Sequence, residues 1–199
     1  GTYTQTFLVS DHKSIGRYTI HCYAKYGDGS LRFINGGSCL VGGPSLNGIS
    51  VSVPDAVSGQ FNILLEGLSS PAGIEKIEVG VWSESNQSNL IWYEVAGTNK
   101  TEYLIAANLA NHKNKLGTYN VHVYVTDGNG IKTFAGGTSY VMQLSYDSLK
   151  VSSSNTDSNV VINLEGMRTL GIVESVRFAV WSKTGGQKDL IWYQAVREG

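Results

Sequence analysis

The chain has 199 residues, with 15 Lys and Arg against 16 Asp and Glu for a net charge of −1. Only 16% of residues are charged and no basic stripe is present, so nothing is there to neutralise a run of phosphates, and nucleic acid is excluded as a partner class. No run of about 18 apolar residues occurs, so no membrane insertion is expected, and 24 Gly with 11 Tyr favour turns and strands over helices. Gly1 reads as a trimmed start, so the lack of a visible leader says little about secretion.

In chain order, Asp11-His12-Lys13 leads into a strand, G-R-Y-T-I-H-C-Y-A from Gly16, that points Tyr18, Ile20, Cys22 and Ala24 to one face. Gly27-Asp28-Gly29 then turns the chain. Cys22 and Cys39 fall on the two strands this turn joins. A cross-strand Cys22–Cys39 disulfide and a pair of semi-buried free thiols are both open. Further strands are predicted near 49–53, 60–65, 75–83, 90–95, 102–106, 119–126 and 132–141, and 42–48 and 146–159 read as connectors. Gly117-Thr118-Tyr119 resembles a tyrosine corner, in which the Tyr hydroxyl ties back to the preceding loop, and Tyr18 occupies the same place earlier in the chain. Asp127-Gly128-Asn129-Gly130 supplies the next hairpin turn.

The chain repeats itself. W-S…L-I-W-Y runs from Trp82 to Tyr93 and again, one residue longer, from Trp181 to Tyr193, and all four Trp lie in this pair. G-T-Y-N-V-H-V-Y-V at Gly117 echoes the strand at Gly16. Trp82 and Trp181 stand 99 residues apart (181 − 82), and Tyr18 and Tyr119 stand 101 apart (119 − 18). A period near 100 is the size of one small β-domain. The expectation is an all-β chain of tandem immunoglobulin-like, Greek-key sandwiches of about seven strands each. Two phases are open. One places units at 1–97 and 98–199, each opening with its tyrosine-corner half, and is preferred. The other places a complete repeat at 46–144 between half repeats 1–43 and 145–199. An isolated half would leave a bare core, so the halves would complete one another within the chain or as a homodimer.

The run Val81-Trp82-Ser83-Glu84-Ser85-Asn86-Gln87-Ser88-Asn89-Leu90-Ile91-Trp92-Tyr93 resembles the V-W-S-x-x-N-G-Q-D-D-I-x-W-Y signature of the Bsp-like repeat of Group B streptococci. Asp11-His12-Lys13 with Gly16–Tyr23, and His112-Lys113 with Gly117–Tyr124, match its H-K…G-x-Y-x-I-H-x-Y half. The resemblance implies a secreted, wall-associated, non-catalytic module of Gram-positive surface proteins or peptidoglycan hydrolases. The sequence departs from the pattern at Ser88-Asn89, where acidic residues are usual, whereas the later copy keeps Asp189.

Strand parity sets the candidate site. Ile77, Val79 and Val81 alternate inward, which turns Trp82 outward; Trp92 shares parity with Glu94, and Trp181 and Trp192 follow suit. His21 and Tyr23, like His122 and Tyr124, take the outward parity as well. Trp82, Trp92, His21, Tyr23, Trp181, Trp192, His122 and Tyr124 therefore form a candidate ligand face on which sugar rings of peptidoglycan or a wall polysaccharide would stack. The competing expectation is that a bulge near Gly80 or Trp82 flips parity and returns the Trp to the core. An adhesin or protein-interaction role is the alternative function. No third ligand accompanies the paired His, so no metal or cofactor is expected. Glu66, Glu165, Glu75 and Glu174 recur, but short connectors give them no cleft for glycoside hydrolysis. No catalytic residue is assigned.

Overall fold

A computed structural model describes residues 1–55, 58–98, 100–143, 149–167 and 173–197. After a one-turn helix at Val9–His12, the strands are β1 Gly16–Lys25, β2 Leu31–Val41, β3 Gly48–Val51, β4 Gln60–Glu66, β5 Lys76–Trp82, β6 Ile91–Ala96 and β7 Tyr103–Asn108. A 3-10 turn at Leu109–His112 precedes β8 Gly117–Thr126 and β9 Lys132–Met142, and β10 Lys150–Thr156, β11 Asn159–Glu165, β12 Arg177–Val180 and β13 Ile191–Gln194 follow. The architecture is all-β, and every pairing is antiparallel.

Two sheets carry the core. One has three strands in the order β3-β4-β7, the other four in the order β6-β5-β8-β9. The alternation Q-F-N-I-L-L-E on β4 buries Phe61, Ile63 and Leu65, while β8 buries Tyr119, Val121, Val123 and Val125. These join Ile77, Val79 and Val81 of β5 and Ile105 and Ala107 of β7 in a single cluster, so the two sheets face each other across it. Each buried Val, Leu, Ile or Phe of this cluster contributes about 1.5–3 kcal/mol on leaving water, which makes the cluster the main source of stability.

The other strands form two-stranded sheets: β1-β2, β10-β11 and β12-β13. The β1–β2 hairpin reproduces β8–β9 closely. Gly16 pairs with Val41 as Gly117 pairs with Met142, and both ladders shift register at the same place, between Cys22 and Tyr23 and between Val123 and Tyr124. Its base rests on the β8–β9 turn. The Asn129 Nδ2 donates to the His12 carbonyl at 3.0 Å, and the Lys13 stem crosses Gly128 where a Cβ would meet it at 2.9 Å.

The stretch 146–159, read from sequence as a connector, contains β10. Its residues 150–156 are exposed at every position, so no apolar alternation marks them, and the strand is held by its ladder to β11. The 3-10 turn at Leu109–His112 also lacks an apolar period. It is set instead by the Asn108 side chain accepting from the Ala110 N–H at 2.8 Å and by Lys113 in the left-handed region at φ 59°.

Candidate functional site

The family-like motif residues divide into a buried set and an outward set. The buried set holds the β5–β6 loop. Asn89 Oδ1 accepts from the Ser83 and Glu84 N–H groups, both at 3.0 Å, and its Nδ2 donates to the Ser83 hydroxyl at 2.7 Å. A backbone carbonyl can only accept, so His112 Nδ1–H donates to the Asn89 carbonyl at 3.1 Å, and the neutral ring's Nε2 accepts from the Tyr93 hydroxyl at 3.1 Å. Burial lowers the His112 pKa below its ordinary value, partly countered by the bond to Asn89. The His112 ring meets Tyr119 edge-on at 5.3 Å, and the Tyr119 hydroxyl donates to the Lys115 carbonyl at 2.8 Å. Tyr18 makes the same bond to the Ser14 carbonyl at 2.6 Å. In the later copy Asp189 takes the part of Asn89, accepting from the Ser182 N–H at 3.1 Å and from the Ser182 hydroxyl. In both copies the side-chain oxygen at this position accepts from the N–H of the Ser that follows the first Trp, a role that an amide and a carboxylate can each fill.

The outward set lies on β6-β5-β8-β9. The β5–β8 ladder runs unbroken from the Lys76–Thr126 pair to the Trp82–Asn120 pair, so no bulge flips parity on β5. Trp82 meets His122 edge-on at 4.7 Å, and Trp92 meets Tyr124 at 5.7 Å. Trp92 lies over Gly80, where a Cβ would approach the indole to 3.0 Å. The structure thus brings Trp82, Trp92, His122 and Tyr124 onto one face, but unequally: Trp82 is 8% exposed and Trp92 43%. Trp92 is the accessible indole, and Trp82 is a supporting wall.

Two members of this face escape sequence parity. The bulge in β9 pairs Phe134 with Tyr124 although Gly137 pairs with His122, so Phe134 turns outward against plain alternation. Its ring lies 5.2 Å from His122 and 5.4 Å from Tyr124. Lys132 places its ammonium 4.1 Å from the Trp92 ring centroid and 5.0 Å from that of Tyr124. It also pairs with Glu78 Oε1 at 3.1 Å, which Lys76 meets at 3.3 Å. Burial alone would raise the Glu78 pKa, but the two lysines outweigh it and hold the carboxyl below its ordinary range. Strand parity already puts Lys76 beside Glu78, but Lys132 lies 54 positions beyond Glu78 (132 − 78), and only the sheet brings it to the same carboxylate.

The remaining predicted residues are divided between the flanking hairpins. His21 and Tyr23 join Phe33 in a triad with centroids 5.3–6.2 Å apart, matching His122, Tyr124 and Phe134, but with no Trp in contact. Trp181 and Trp192 stand exposed on the β12–β13 side without a His–Tyr–Phe triad. The Cys22–Cys39 disulfide is not formed: both thiols are free. Cys22 sits opposite Asn35 and Cys39 opposite Tyr18, so four ladder positions separate them, roughly 13 Å, beyond the span of a disulfide. Glu66 and Glu75 stand exposed. Two shallow hollows of about 450 and 250 Å³ are lined by neither glutamate. Among the described residues no three His, Cys, Asp or Glu converge as a metal set, and no helix is long and apolar enough to cross a membrane.

An all-β body built on a hundred-residue repeat, with a locked W-S…L-I-W-Y loop and an aromatic sheet face, defines a repeat module. The GBS Bsp-like repeat matches residues 50–140 and again 150–199, more than half the chain, and the protein belongs to this family, which is associated with surface proteins. Comparison with curated proteins returns no match. Among solved structures the chain is similar to the Staphylococcus aureus TarS crystal structure covering residues 217–571, at a TM-score of 0.30 and 11% identity. That similarity covers 90% of this chain and 47% of the other, so the chain spans about half of that structure's length.

Proposed function

We propose that this protein is a non-catalytic, secreted, wall-associated module that holds its parent protein on cell-wall glycan through the β6-β5-β8-β9 face. The two facing sheets of residues 48–142 are taken as one immunoglobulin-like repeat in a tandem array. The observation that carries the reading is Trp92, a half-exposed indole seated over Gly80 and framed by Tyr124, Phe134 and Lys132. Flat aromatic groups stack on the C–H faces of sugars, and a sheet surface without a cleft suits a long polymer rather than a small substrate. Lys132 lies over the indole, so a sugar would displace it; its flexible four-carbon stem makes that displacement cheap. Repetition of a weak site along one chain raises effective concentration and therefore avidity.

The test is tryptophan fluorescence of the 199-residue chain titrated with purified peptidoglycan and, separately, with wall polysaccharide. A saturable shift that Trp92→Ala removes is expected, with Trp192→Ala leaving most of it. A flat titration with intact folding ends the glycan reading. The second reading, an adhesin or protein-interaction module, draws on the exposed apolar residues of the flanking hairpins, Ile20, Phe33, Val160 and Val180 among them.

A further inference from the structure

The flanking hairpins leave open, wholly or in part, the positions that the central sheets bury. Ile20 is exposed where Val121 is buried, and Ile162 and Phe178 are half-buried where Ile63 and Val79 are fully buried. β1 and β2 are the counterparts of β8 and β9, β10 to β13 are those of β3 to β6, and residues 3–8, which form no strand, hold the place of β7 in the sequence. Together they carry the sequence of one complete repeat. From this we propose that the two sets cover each other between copies of this chain: β1–β2 with the preceding residues 3–8 of one copy close over β10–β13 of a second copy.

Side-chain volumes support the match. In the central body Val79 pairs with Val123 and Phe61 with Ala107. The corresponding pairs between the flanking sets are Phe178 with Cys22, and Val160 with Phe7. In each pair one side grows where its counterpart shrinks, which is what a core filled to constant volume requires. On the outer face Arg177 replaces Glu78, and the two lysines that bind Glu78 are replaced by Ser175 and Leu31, so a cation enters where two have left. Gln5 is the polar exception on the core side, and Lys25 is the like charge left beside Arg177.

The occupant is a second copy and not the same chain. The base of β1–β2 is fixed on the β8–β9 turn by Asn129 and Lys13, whereas β10 follows from Met142 at the other end of β9. From Met142 to Lys150 the chain spans at most about 29 Å, less than the roughly 34 Å of β9 alone. Closure within one chain would require breaking that joint. Pairing between copies also completes a second aromatic face, in which Trp181 and Trp192 of one copy meet His21, Tyr23 and Phe33 of the other.

The experiment is sedimentation velocity of the 199-residue chain at rising concentration, with Ile20→Arg, Phe178→Arg and an equimolar mixture of the two. Both substituted residues lie outside the central core, so folding is retained. The expected result is a mass that grows past one chain for the parent, monomers for each variant, and a dimer that grows no further for the mixture. A parent that stays monomeric at several hundred micromolar overturns the proposal, as does association that both variants retain. A monomer whose Ile20 and Phe178 amides resist hydrogen exchange also overturns it, because one chain has then closed on itself. No glycan is present in this measurement, so it stands or falls apart from the wall-binding reading.

Discussion

The β1–β2 and β8–β9 hairpins have the same register, the same bulge and the same tyrosine tie-back, yet Ile20 is 46% exposed where Val121 is 0%. The His–Tyr–Phe triad keeps its spacing in both, with centroids of 5.3–6.2 Å in one and 5.2–6.4 Å in the other. Hairpin shape is therefore set by the local turn, the bulge and cross-strand packing, and burial is set by whether an opposite sheet is present. Only the second supplies most of the free energy.

The largest test of that separation compares Leu65→Ala with Leu164→Ala. Leu65 is fully buried between sheets, and its truncation is expected to cost about 2–5 kcal/mol in urea unfolding, through lost transfer energy and the cavity left. Leu164 occupies the same L-E-G context on β11 but faces no second sheet in one chain. Measured in dilute solution, its truncation is expected within about 0.5 kcal/mol of the parent. Equal costs would sink the comparison.

The next effect concerns His112 and His12, which share an H-K motif and differ in surroundings. His112→Ala strands the Asn89 carbonyl and the Tyr93 hydroxyl, and is expected to cost about 1–3 kcal/mol, while His12→Ala changes little. The pH dependence has a definite sign. The fold holds His112 neutral with a lowered pKa, so the unfolded chain binds the extra proton. The contribution is fully present above the unfolded value of about 6.5 and declines as pH falls through and below it. Urea midpoints compared between pH 7.5 and 5.5 should fall for the parent more than for His112→Ala. Identical slopes would show that His112 titrates freely.

Much of this was legible in the chain itself. All seven strands of 48–142 were read within a residue or two, because most carry apolar alternation between polar or Gly-containing turns. Outward parity was legible for Trp82, Trp92, His122 and Tyr124 for the same reason. Three things were not. β10 has no apolar face to signal it. Phe134 reaches the aromatic face only through a bulge, and alternation has no means of anticipating one extra residue. Trp82 and Trp92 carry equal parity, but the depth to which each is covered depends on His122 and Gly80 on neighbouring strands, which single-strand periodicity does not report.

The smallest expected effect separates the central Trp from its counterpart. Gly80 and Ala179 occupy equivalent places, opposite Trp92 and Trp192 respectively. A Cβ at Gly80 would stand 3.0 Å from the Trp92 ring, so Gly80→Ala forces the indole outward by a few tenths of an ångström. Lys132, 4.1 Å from that ring, is displaced with it. Stability is expected to change by less than about 1 kcal/mol, since the ring is partly in solvent already and Ala suits a strand better than Gly does. Emission should move to the red as Trp92 gains water. Ala179→Gly should leave emission where it is, because Trp192 is 63% exposed beforehand. A red shift from Ala179→Gly, or none from Gly80→Ala, would mean that the two indoles do not differ in seating, and that the accessible platform is not special to the β6-β5-β8-β9 sheet.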